Sequence, residues 1–169
     1  MTEPTVNRIS EARIPTEYGE FILGYYGNSL DNKAHLTFHM GEIFGKSDVL
    51  VRVHSECLTG DIFGSRRCDC GEQLDHSLRL IAERGSGLLI YLRQEGRGIG
   101  LLQKIHAYNL QDKGHDTVDA NLLLGHAADE RSYVLATLIL KSFDILSVRL
   151  ITNNPDKISA LESDGIKVS

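Results

Sequence analysis

GEQLDHSLRLIAERGSGLLIYLRQEGRGIG, residues 71–100, changes its hydrophobic period twice. Leu74, Leu78 and Ile81 recur at helical spacing, and Gly85 stands where a helix would end. SGLLIYL then runs apolar without interruption, as a buried strand does, and the stretch closes on glycines at 96, 98 and 100. Upstream, the segments around EFILGYY, HLTFHM and DVLVRVHSEC read as short strands separated by Gly, Asn and Asp, which predicts an antiparallel β layer. Downstream, GLLQKIHAYNLQDKG and DERSYVLATLILKSF read as helices and SVRLIT as a strand. NNPDKISALESDG reads as a last helix, with Asn154 as its cap and Pro155 in its first turn. The expected class is α+β, a strand-rich N-terminal half packed with helices. With no repeat, low-complexity tract or linker, the expectation is one compact domain over residues 1–169.

Composition narrows the function. The chain of 169 residues is 41% hydrophobic and 24% charged, the mixture of a soluble globular protein, and has no run of about eighteen apolar residues that would span a bilayer. Its start, MTEPTVNRISEARIP, lacks the apolar core of a secretory signal, so a cytoplasmic location is expected, where thiols stay free or bind metal. A net charge of −5 argues against a general nucleic-acid binder. An anionic ligand would need a local cationic cluster.

All three cysteines, Cys57, Cys68 and Cys70, lie in CLTGDIFGSRRCDC. The spacing C-x10-C-x-C differs from a zinc ribbon and offers three sulfur ligands where a closed structural site needs four. Catalytic zinc commonly takes three protein ligands and keeps the fourth position for water, whose pKa falls to about 7. Arg66 and Arg67 would favour the thiolate form. Three readings stand: catalytic zinc, structural zinc with His54 as fourth ligand, and no metal. RQEGRGIG, from Arg93 to Gly100, permits close backbone approach to a phosphate or a planar base, but it matches neither a dinucleotide fingerprint nor a P-loop. In HAADER, Asp129, Glu130 and Arg131 fall at an expected helix start. Acidic capping accounts for Asp129 and Glu130, whereas Arg131 sits at the unfavourable end unless an anion is near.

VRVHSECLTGDIFGSRRCDCGEQL, RQEGRGIGLLQKIHAYNLQDKGHDTVDAN, HAADERSY and RLITNNPDK together resemble GTP cyclohydrolase II, the enzymes that open the guanine imidazole ring at the start of riboflavin synthesis. The resemblance runs from about Val51 to Lys157 and more loosely through the first third. It implies a catalytic zinc, one per chain, on Cys57, Cys68 and Cys70. It further implies that GTP loses C8 as formate and its outer phosphates as pyrophosphate, leaving 2,5-diamino-6-(ribosylamino)-4(3H)-pyrimidinone 5′-phosphate. Tyr108 would serve ring opening and deformylation. Arg131 would act at the α-phosphate with Asp129 as proton acceptor, either as a nucleophile or as an electrostatic stabiliser. Mg2+ would accompany the triphosphate. Implied GTP contacts are Arg52, Val53, His54, Ser55, Glu56, Gln73, Glu95, Gly96, Arg97, Thr117, Thr152 and Lys157, with Glu95 accepting from the guanine N1–H and amino group. The family also implies a homodimer. The chain reads as a stand-alone form without a fused dihydroxybutanone-phosphate synthase domain. A silent GTP-binding regulator, a structural zinc module and a variant that keeps the formyl group are the rival readings.

Overall fold

The computed structural model describes residues 2–127 and 131–169. Among them the strands are β1 (Val6–Thr16), β2 (Gly19–Asn28), β3 (His35–Met40), β4 (Val49–Ser55), β5 (Gly87–Leu92) and β6 (Val148–Leu150). The helices are α1 (Leu58–Asp61), α2 (Cys70–Arg84), α3 (Leu101–Asp112), α4 (Thr117–Leu123), α5 (Val134–Ser142) and α6 (Pro155–Ser163). None of them is long and apolar enough to cross a membrane.

The strands make one sheet in the order β1-β2-β3-β5-β4-β6. The expected antiparallel layer holds for the first three, which pair as a meander with Ile14 opposite Phe21 and Tyr25 opposite Leu36. It does not extend to β4, which is separated from β3 by β5 and pairs in parallel with β6, Val49 opposite Val148 and Val51 opposite Leu150. Side-chain patterning explains the interior places of β4 and β5. Leu88, Ile90 and Leu92 join Val49, Val51 and Val53 in one apolar cluster with Ile139 and Leu140 of α5 and Leu161 of α6. Leu89 and Leu50 enter a second cluster with Phe21 and with Ile81 of α2. Strands apolar on both faces belong where both faces are covered.

The helices begin and end for local reasons. Asn154 accepts from the Asp156 amide with Pro155 at the first turn, as expected for α6. The helix expected over DERSYVLATLILKSF starts later than its sequence indicates, at Val134, so Arg131 lies in irregular chain before it. The Gln94 side chain explains the delay, since its amide nitrogen donates to the Ser132 carbonyl at 2.6 Å and its oxygen accepts from the Ser132 amide at 3.3 Å. Three elements, β1, the one-turn α1 and α4, go beyond the sequence expectation. β1 is nearly all exposed and lacks a buried stripe, whereas α4 carries a readable start in Asp116, which accepts from the Asp119 amide at 2.7 Å.

The chain groups into two compact units. A sheet unit comprises Met1–His54, Glu72–Leu92 and Tyr133–Ser169, and a second comprises Ser55–Gly71 and Arg93–Ser132. The first holds both apolar clusters. The second is built from α1, α3, α4 and the glycine turn, and encloses a cleft of about 320 Å³.

Candidate functional site

In the second unit the sequence CLTGD makes a tight turn. The Cys57 amide donates to the Asp61 carboxylate at 3.0 Å, and the Asp61 amide donates back to the Cys57 carbonyl at 2.6 Å. Gly60 lies within this turn because a Cβ there would stand 2.7 Å from Cys68 Sγ and 3.2 Å from Cys57 Sγ. Cys70 is the first residue of α2 and Cys68 lies in the chain just before it, and all three sulfurs lie within 4.8 Å of one another, with Cys57 and Cys68 Sγ 3.6 Å apart. None is in a disulfide.

The electrostatics favour a cation among these sulfurs. Burial raises the Cys57 thiol, but hydrogen bonds from the Lys104 ammonium, the Gly60 amide and Thr59 outweigh it and hold its pKa below the ordinary value. Cys70 moves the other way, pushed up by burial and then by the neighbouring Cys57. Three crowded thiols resist full ionisation by themselves, and a divalent metal removes that penalty. A soft three-sulfur set with no side chain at position 60 therefore fits a zinc-type ion. His54, the alternative fourth ligand, stacks on Tyr91 with ring centroids 5.5 Å apart, and the donor cluster among the described residues contains the cysteines alone.

Tyr108 lines the same cleft, its hydroxyl 3.2 Å from Thr59 Oγ1, and Thr59 Oγ1 lies 3.8 Å from Cys57 Sγ. Arg67, expected beside the thiolates, lines the same cleft as Cys68 and Cys70. Its guanidinium lies 4.6 Å from the centroid of the Tyr108 ring and pairs with Asp112 at 2.7 Å, while the cation on the sulfur is Lys104 at 3.1 Å. Lys104 is absent from the residues that motif and spacing nominate, although its position carries a signal. Lys104, Ala107, Tyr108 and Gln111 share one stripe of α3 at helical spacing and line the cleft, while Leu102 and Ile105 of the same helix are exposed.

The glycine turn supplies a further part of the lining. Gly98 and Gly100 donate to the Glu95 carbonyl at 3.1 and 2.9 Å, and Arg97 takes a positive φ of 59°. Gly96, at φ 63°, admits no side chain, since a Cβ would meet the Gly100 carbonyl oxygen at 2.9 Å. Among the expected substrate contacts, Ser55, Glu56, Glu95, Gly96, Arg97 and Thr117 line this cleft, and so does Arg131. Glu56 pairs with Arg93 at 2.5 Å. Asp129 lies outside the described residues.

The remaining expected contacts belong to the sheet unit. Arg52 donates to Gln73 at 2.7 Å and to the Ile151 carbonyl at 3.1 Å, and the buried Lys157 ammonium donates to the Val53 carbonyl at 2.9 Å. Thr152 accepts from the Asn154 amide at 3.0 Å. These residues, with His54, gather around the ends of β4 and β6 and the start of α6.

Comparison with known proteins fits this arrangement. The family model described as GTP cyclohydrolase II matches residues 7–169. A GTP cyclohydrolase-2 of Picrophilus torridus is 55% identical over 160 residues, covering 95% of this chain and 83% of its own length. The riboflavin biosynthesis protein RibBA of Bacillus subtilis is 52% identical over 165 residues, and the chain spans only 42% of that protein's length. Among solved structures, RibBX of A. baumannii, a two-domain 3,4-dihydroxy-2-butanone 4-phosphate synthase, shares the fold at a TM-score of 0.51 and 19% identity, covering 98% of this chain and 40% of its own. A family match over nearly the whole length, with a relative more than half identical, shows that this chain belongs to the GTP cyclohydrolase II family.

Proposed function

We propose that the protein hydrolyses GTP in a zinc-dependent reaction, releasing formate and pyrophosphate and leaving 2,5-diamino-6-(ribosylamino)-4(3H)-pyrimidinone 5′-phosphate, the first step of riboflavin biosynthesis. The observation that carries this reading is the convergence of three sulfurs with Tyr108 and Arg131 along one cleft. Cys57, Cys68 and Cys70 would hold the zinc, which when bound supplies a Lewis acid and hydroxide at neutral pH.

The chain's own groups supply the rest. Tyr108, aimed by Thr59 and stacked under Arg67, holds or moves the proton needed as the ring opens and the formamide is cleaved. Arg131 acts at the α-phosphate. Neutralising a guanidinium at pH 7 costs upwards of about 7 kcal/mol, which favours electrostatic stabilisation of the phosphoryl transition state over nucleophilic attack. Asp129 is carried over from the family resemblance as the proton acceptor beside it. Arg97 and Thr117 join as phosphate or ribose contacts, and Arg52, Val53, His54, Gln73, Thr152 and Lys157 as further GTP contacts. Mg2+ accompanies the triphosphate because its negative charges must be offset in an acidic protein. The working form is a cytoplasmic homodimer in which residues 1–169 make one domain.

The test is incubation of the purified protein with GTP, zinc and magnesium, following formate and pyrophosphate separately and weighing the nucleotide product. Equal release of both with a diaminopyrimidine monophosphate is expected. Zinc-loaded protein that releases neither would overturn the reading in favour of a silent GTP binder.

A further inference from the structure

Lysine and glutamate are almost never fully buried unless paired, yet Lys104 and Glu95 are 8% and 7% exposed. The Lys104 ammonium donates to Glu95 Oε1 at 2.6 Å and to Cys57 Sγ at 3.1 Å. Glu95 Oε1 also accepts from the Gly96 amide at 2.9 Å, and Oε2 accepts from the Leu58 amide at 2.8 Å. Leu58 follows Cys57 directly, so the Glu95 carboxylate grips the backbone of the cysteine turn while Lys104 grips its sulfur. The brace joins the glycine turn, α3 and the cysteine turn through groups withdrawn from water.

We propose that Lys104 and Glu95 are positioning residues of the sulfur site, Lys104 by donating to the Cys57 ligand sulfur and Glu95 by anchoring the turn that carries it. The inference rests on the reading of the cysteines as metal ligands. A hydrogen bond to a ligating sulfur withdraws electron density from it, and partners of this kind commonly set metal affinity. The brace also bears on base recognition. A carboxylate has about four acceptor positions, and three donors already engage Glu95. A guanine edge presenting N1–H and an amino group needs two acceptors, and one remains. Glu95 thus serves the metal turn, and guanine is read by other groups in the cleft.

The experiment compares wild type, Lys104→Met, Glu95→Gln and the double variant, each folded and loaded with cobalt(II) or zinc. Its readouts are the metal dissociation constant in competition with a chelator and the sulfur-to-cobalt charge-transfer band. Lys104→Met should weaken binding by about 10- to 100-fold and move the band to longer wavelength. The double variant leaves no lone buried charge, so it should fold even where the single one fails, and should keep the weakened binding and the shifted band. Wild-type affinity and band in the double variant would mean that Lys104 only neutralises Glu95, and would overturn the proposal. Glu95→Gln should weaken metal binding while the KM for GTP moves less than about threefold. A large rise in KM at wild-type metal affinity would restore Glu95 to the base. Wild type that binds neither metal would sink the metal reading itself, a result distinct from all of these.

Discussion

In the sheet unit Leu88, Ile90 and Leu92 are wholly buried and large apolar side chains make the core around a few buried charges such as Arg52 and Lys157, whereas in the cleft unit Lys104 and Glu95 are buried while Leu102 is 64% exposed. Different physics holds each unit in shape. Apolar burial is nondirectional and tolerant, so the first unit is expected to survive loss of any single polar contact. Among its described residues the second buries only small apolar groups, such as Ala107 and Ala120, and relies on directed bonds to sulfur, carboxylate and backbone. Directed bonds hold a site in one geometry but give little when one partner is removed. Exposed Val118, Leu122 and Leu123 on α4 underline how little hydrocarbon that unit withdraws from water.

The sharpest way to break this contrast is to remove a sulfur. Cys68→Ser, or stripping the metal with a chelator, should lower formate release by at least about 100-fold. Hydrogen exchange should quicken in residues 57–70 while β4 and β5 keep their protection. Equal loss of protection in the sheet would mean that the two units are one cooperative structure. Leu140→Ala tests the other side. It should cost about 2–5 kcal/mol in urea unfolding, with zinc still near one per chain in the folded protein. Unaltered stability would contradict the apolar account of the sheet unit.

A smaller effect is expected at the ring of α3. Tyr108→Phe leaves the packing under Arg67 in place and removes only the hydroxyl 3.2 Å from Thr59, so formate release should fall by about 100-fold while stability and metal content hold. Formate release at the wild-type rate would free Tyr108 from any role in proton transfer. The smallest effect concerns His39 of β3, whose pKa is lowered chiefly by burial, with Arg8 adding to the fall and the nearby Glu11 and Glu42 carboxylates opposing it. Above the ordinary value of about 6.5 it is neutral in both states. As pH falls below that, the unfolded chain takes up a proton that the folded one resists, so stability declines until the folded pKa is passed. His39→Gln should flatten the fall of the urea midpoint between pH 7 and 5, and an unchanged slope would assign it elsewhere.

Elements with a strong local period are legible in the sequence. α2 follows the spacing of Leu74, Leu78 and Ile81, β5 the unbroken run before Arg93, and α6 its Asn-Pro start. The crowding of three cysteines within one segment also marks the metal candidate, because ligands close in sequence need only a turn to meet. β1 is not legible in this way, because an exposed edge strand has no buried stripe and only its pairing with β2 defines it.

By itself, then, the sequence determined the helices and strands whose periods are local, the α+β class, the cysteine set and, through its motifs, the family. The tertiary structure decided the insertion of β5 between β3 and β4, the late start of α5 under the hold of Gln94, the placing of Arg67 on Tyr108, and the burial of Lys104 between Glu95 and Cys57. Each of these joins residues far apart along the chain, and such partners are selected by the burial and hydrogen bonds they gain together, which no local period records.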